Sequence, residues 1–267
     1  MKRKVNILTY LYLVFMILLF LSGSISGVLG LVIYCLSFVI PIAIGIYLSR
    51  NTLTNVSLSL GREQLGFSLP LVMPTLSVII IISLITSLFI FVTTGKTNSV
   101  DLGDSLVLAV ISHALIPAVL EELLFRYIPI RLLSEHSERV TILVSAFFFA
   151  LVHHDFFSIP YAFLAGVIFM TVDLATGSLI PSILIHFINN LSSVIVVMYG
   201  ETSIVVTTLY LLIAILTAIS LIFIIKKRGE YTNVAKRLFY KFELTPFTVE
   251  MLIFAAINLT IAFVSLF

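Results

Sequence analysis

The chain has 267 residues, 60% of them hydrophobic and only 10% charged, with a formal net charge of +2 and a mean hydropathy of +1.22. Soluble domains carry about 25% charged residues, so this composition excludes a soluble enzyme, a secreted disulfide scaffold and a disordered chain. Its long unbroken apolar runs also exclude a transmembrane β-barrel, whose strands alternate apolar and polar residues, and leave an all-α, polytopic transmembrane helical bundle of about 8–9 spans.

A helix crossing the ~30 Å hydrocarbon core needs about 20 residues. On that measure the predicted spans are 5–22, 28–49, 71–94, 105–133, 140–156, 160–176, 179–199, 203–225 and 248–267. Most are separated by breaks at Ser24–Gly27, Lys96–Asp104, Ser134–Arg139, Gly177 and Gly200. The basic start Lys2-Arg3-Lys4 has the look of a secretory leader. Because Ser22–Gly27 leads directly into a second apolar run, however, the first helix is expected to be retained. The segment Arg50–Pro70 carries Leu58, Leu60, Leu65 and Phe67 among polar residues and is expected to lie along the inner membrane surface. The chain reads as one membrane domain in three stretches: 1–104, 105–200 and 201–267.

Basic residues report topology in a membrane protein. With the N-terminus inside, every Lys and Arg except Lys96 and Arg126 falls on an inner segment, from Lys2, Arg50, Arg62, Arg131 and Arg139 to the Lys226–Lys241 loop. The N-terminus is therefore expected in the cytoplasm and the C-terminus outside. The net charge then points to no nucleic-acid partner, and the Lys226–Lys241 loop reads as an anchor beside anionic lipid. Cys35 is the single cysteine, so it has no intramolecular disulfide partner.

Ionisable groups within spans are costly and mark candidate sites. They cluster in Glu121-Glu122-Leu123-Leu124-Phe125-Arg126, in Phe149-Ala150-Leu151-Val152-His153-His154 and in His186-Phe187-Ile188-Asn189-Asn190, with Asp173 alone. Glu122 and Arg126, at i,i+4, can pair along one helix face. Glu121 lies about 100° around the helix from Glu122 and is the candidate base. His186 and Asn190 also share a face, and His153 supplies a second imidazole. Together these groups can activate water and stabilise an oxyanion. Asp173, His113, His154 and Asp155 read as structural. Asp101 and Asp104 fall in a loop, and there is no Gly-x-Ser-x-Gly.

Glu-Glu-x-x-x-Arg, Phe-x-x-x-His and His-x-x-x-Asn on successive membrane helices resemble the CPBP family (CAAX protease and bacteriocin-processing, also called Abi), which includes the type II CAAX prenyl endopeptidases. The resemblance spans roughly 105–200. It implies an intramembrane endopeptidase opening to the cytoplasmic side, with its active site between the fourth, fifth and seventh helices. Glu121 and His153 would activate water, His186 and Asn190 would bind the oxyanion, and Glu122 and Arg126 would hold the first motif. The cofactor stays open between none and one divalent metal such as zinc, which Glu121, His153 and His186 would ligate. The implied partners are the bilayer and a membrane-associated peptide or protein substrate, in peptide processing or bacteriocin self-immunity. The short chain with its Ile-, Leu- and Phe-rich spans points to a bacterial plasma membrane as the expected location. A non-proteolytic membrane scaffold and a proton-coupled transporter are the alternatives.

Overall fold

The computed structural model describes residues 2–25, 27–52, 54, 56–95, 102–103, 105–239 and 248–264. Lys96, Asp101, Asp104 and Lys241, which carried expectations above, lie outside them. The helices are α1 (Lys2–Gly23), α2 (Gly27–Leu48), α3 (Arg62–Thr94), α4 (Leu106–Leu132), α5 (Glu138–Leu151), α6 (Ser158–Thr176), α7 (Ile180–Tyr199), α8 (Ile204–Lys226), α9 (Arg228–Phe239) and α10 (Val249–Val264). No strand occurs among the described residues; an isolated parallel bridge joins Ser57 and Ser178. The expected all-α membrane architecture is the one found. A helix satisfies its own backbone hydrogen bonds, as a chain in hydrocarbon must.

Seven of these helices are long and apolar enough to cross a membrane. Two expectations need revision. The predicted span at 140–156 is the 14-residue helix α5; at 1.5 Å per residue it reaches only about 21 Å. It ends before His153, and His154 adopts φ 52°, outside the helical region. Of the span expected at 248–267, Val249–Val264 forms α10, and 265–267 lie outside the described residues. Arg50–Pro70 is not a separate surface element, because α3 begins at Arg62 and continues through Pro70 and Pro74. Membrane helices tolerate such prolines where neighbours re-satisfy the freed backbone groups.

The chain divides into two compact units that do not follow chain order. One is drawn from Met1–Val56, Leu123–Met170 and Phe239–Phe267, the other from Ser57–Glu122 and Thr171–Leu238. In the first, aromatic rings form the core. Tyr12 stacks on Phe125 with centroids 4.9 Å apart and meets Phe148 at 4.6 Å; Phe15 meets Phe38 at 4.6 Å, and Phe148 meets Phe254 at 5.2 Å. In the second, polar contacts join the helices: Ser77 Oγ lies 2.7 Å from Thr217 Oγ1, and that hydroxyl donates to the Met73 carbonyl at 3.1 Å. The turn between α6 and α7 is held by Ser57, whose N–H donates to Gly177 O and whose carbonyl accepts from Leu179 N, both at 3.1 Å. Gly177 takes φ 67° there, a conformation that glycine adopts without a Cβ penalty. Leu84, Ile85 and Leu88 of α3 and Leu211, Leu212 and Ile215 of α8 are exposed, as befits surfaces facing lipid.

In the first unit, α5 and α6 touch where Gly166 has no side chain. A Cβ there would lie 2.9 Å from Ala146 Cα and 3.3 Å from Phe149 Cδ1. Replacing Gly166 with Leu is expected to destabilise the protein by about 1–3 kcal/mol, the usual cost of overpacking. Gly66 is the control, because a Cβ added to it would meet nothing within 4 Å: Gly66→Ala should be neutral or slightly stabilising. Unfolding of both variants in detergent micelles checks this.

Candidate active site

Helix α4 is not uniform. Val110–Leu115 and Leu123–Tyr127 are π-helical, and the α-helical turn Ile116–Glu122 between them carries the two glutamates. π-helical turns are rare and frequently occur at functional sites. Nothing in the residue types signals them.

Glu121 and Glu122 share the second unit with α7, and there the structure brings both to His186. The Nδ1 of His186 lies 2.8 Å from Glu122 Oε1, and its Nε2 lies 3.7 Å from Glu121 Oε2. Glu122 has no exposed surface and His186 only 6%, while the Glu121 side chain keeps 19%. A carboxylate buried so completely must be hydrogen-bonded to be tolerated. An ionised Glu122 can only accept, so Nδ1 of His186 donates to it, and the ring presents Nε2 to Glu121. A carboxylate that orients an imidazole in this way selects its tautomer and stabilises the imidazolium when it forms. The partner that aims His186 is thus Glu122 of α4, whereas Asn190 Oδ1 accepts from Asn189 Nδ2 at 3.3 Å.

Arg126 and His153 belong to the first unit. The Arg126 guanidinium, fully buried, lies 4.0 Å from the centroid of the Phe149 ring and 5.3 Å from that of Phe169. Desolvated cation–π contacts of this kind are worth about 2 kcal/mol or more. The Phe149 carbonyl meanwhile holds His153 Nδ1 at 2.7 Å. A carbonyl cannot donate, so Nδ1 carries the hydrogen and the Nε2 of a neutral His153 keeps its lone pair. The Phe and His of Phe-x-x-x-His are therefore linked physically: the phenylalanine supports the arginine with its ring and sets the histidine tautomer with its backbone. His153 sits in the turn after α5 and is exposed.

The π-helical turn beside Glu122 has outside support within the same unit. Tyr12 of α1 donates its hydroxyl to Leu124 O at 3.4 Å, and Ser145 of α5 donates to Phe125 O. Neither residue, nor Phe169, was singled out from the sequence. Ser145 carried a faint signal as a hydroxyl within an apolar run; Tyr12 and Phe169 carried none. Among the residues read as structural, Asp155 caps α6 by accepting from Ser158 N at 3.1 Å and from Ser158 Oγ. His113 Nδ1 meets Ser112 Oγ at 2.8 Å. Asp173 has no exposed surface.

Among the described residues, no three His, Cys, Asp or Glu side chains are grouped so as to hold a metal ion. The Nδ1 of His186 is engaged by Glu122, which leaves Nε2 and Glu121 as the donors facing each other in that unit.

Residues 103–192 match the family model described as type II CAAX prenyl endopeptidase Rce1-like. That segment contains Glu121, Glu122, Arg126, His153, His186 and Asn190. It is similar to a family of CAAX-type proteases, as the three motifs led us to expect. No curated protein and no solved structure matches the chain.

The hydroxyl of Ser145 serves the buried Phe125 carbonyl, so Ser145→Ala leaves that acceptor short of a partner. The expected loss of stability is about 1–3 kcal/mol. Steric trapping or denaturant unfolding in micelles measures it.

Proposed function

We propose that this chain is an intramembrane endopeptidase that hydrolyses a peptide bond of a membrane-associated peptide or protein by carboxylate-activated water. The observation carrying the reading is His186 set between two adjacent glutamates of α4, within the segment similar to a protease family. In this reading Glu121, the more exposed glutamate, takes a proton from water as its oxygen attacks the scissile carbonyl, and returns it to the departing amine. His186, protonated at Nε2 and stabilised by the Glu122 carboxylate, donates to the developing oxyanion, and the Asn190 amide adds a second donor. Such preorganised donors are worth most where water is excluded. The resemblance gives His153 a share in activating water, and within its own unit its ring is oriented by Phe149 O. The distribution of Lys and Arg supports a cytoplasmic N-terminus, and the resemblance implies a site opening on that side.

The assignment divides the two glutamates by role. Glu121→Gln should lower kcat/KM by about 10²–10⁴-fold, the span of general base catalysis. Glu122→Gln loses the charge that stabilises the His186 imidazolium and the carboxylate that selects its tautomer, and should lower kcat by up to about 10⁴-fold while leaving the general base in place. Peptide cleavage by the purified protein in liposomes measures both, with substrates drawn from peptidomes of cells carrying wild type or Glu121→Gln. Undiminished cleavage by Glu121→Gln would refute the mechanism. Loss of activity on chelation, restored by zinc, would replace it with a metal-dependent one.

A further inference from the structure

Outside the motifs, one buried polar group is tied to the turn that carries His153. Asn258 of α10 has no exposed surface. Its Nδ2 donates to Phe254 O at 2.7 Å, which fixes the amide orientation and leaves Oδ1 as the acceptor. His154 Nε2 lies 2.8 Å from that Oδ1 and must be the donor. One turn back on α10, Phe254 packs edge-on against Phe148 of α5. The face of α10 that meets the end of α5 thus also holds the residue following His153.

The backbone gives this contact its meaning. His154, at φ 52°, is the non-glycine residue in left-handed conformation among the described residues. Such a conformation is unfavourable for a side chain with a Cβ and persists where the surroundings impose it. Here it reverses the chain just after His153, whose N–H donates to Ala150 O at 3.3 Å and whose ring is held by Phe149 O. On the far side, Asp155 caps α6. The turn is therefore pinned at both ends, and the tether nearest His153 comes from α10, beyond the segment that matches the protease family.

We infer that Asn258 and His154 are positioning residues that set the location of the His153 imidazole. The inference rests on the proposed role of His153 in activating water. Displacing a catalytic group by about 1 Å can cost 10²-fold in rate, so the contact acts on turnover more than on substrate binding.

Two variants test it. Asn258→Leu keeps the side-chain size and removes the acceptor. His154→Asn keeps a residue tolerant of the left-handed region and removes the imidazole, so it remains informative should the first variant fold poorly. Each is expected to lower kcat about 10–100-fold with KM within about threefold, and the double variant should fall no further than the worse single one. Histidine-selective ¹⁵N NMR of the full chain in micelles gives a readout independent of activity. The His153 Nδ1–H tautomer signature should be sharp in wild type and in Glu121→Gln, and averaged or lost in both tether variants. Wild-type kcat in either folded variant, additive losses, or an unchanged His153 signature would overturn the inference. A wild-type chain that cleaves nothing, but whose His153 signature still depends on Asn258, would refute the endopeptidase reading and leave the positioning intact.

Discussion

A carboxylate with no water around it has to be met by hydrogen bonds, and Glu122 imposes that requirement on this structure. Burying an isolated charge is so costly that the group would otherwise neutralise or stay unburied. His186 meets it at 2.8 Å. By doing so it couples α4 to α7 and turns its other nitrogen towards Glu121. A requirement of stability and the geometry proposed for catalysis thus coincide in one imidazole. Breaking such a buried pair leaves an uncompensated group behind, a loss of about 3–5 kcal/mol. The two adjacent glutamates are therefore not interchangeable: one is consumed by burial, while the other keeps part of its side chain exposed.

The first unit solves the same problem with different chemistry. Arg126 is equally buried, and the aromatic faces of Phe149 and Phe169 lie against its guanidinium. Arginine suits this arrangement because its charge is planar, delocalised and weakly hydrated. The same Phe149 then sets the tautomer of His153 through its carbonyl. Beside them, the π-helical turn Leu123–Tyr127 receives hydroxyls from α1 and α5 at Leu124 O and Phe125 O. A departure from regular helix in an apolar interior needs donors from elsewhere, and Tyr12 and Ser145 supply them.

Membrane character, the helical class and the three polar clusters were legible in the sequence because apolar length and stray ionisable residues are one-dimensional signals. Glu121, Glu122 and His186 could be named as candidates on that basis, although their mutual distances could not. Helix ends were less legible. The apolar character of 140–156 continues past Leu151, so hydropathy alone extends α5 to a length that the turn at His153 and His154 does not allow. The start of α3 at Arg62 was hidden because polar residues in its first turns look like a surface segment.

By itself the sequence determined that this chain lives in a membrane, where its few charges lie along the chain, and which motif residues resemble a protease family. Each of these follows from residue type and spacing. Tertiary structure decided the partners: His186 on Glu122, Arg126 on two phenylalanines, hydroxyls from distant helices on the π-helical turn, and Asn258 on the turn beside His153. The reason is physical. The cost of burying a polar group is a property of the residue, whereas the hydrogen bond or aromatic face that offsets it comes from whichever distant segment the fold brings within about 3–4 Å.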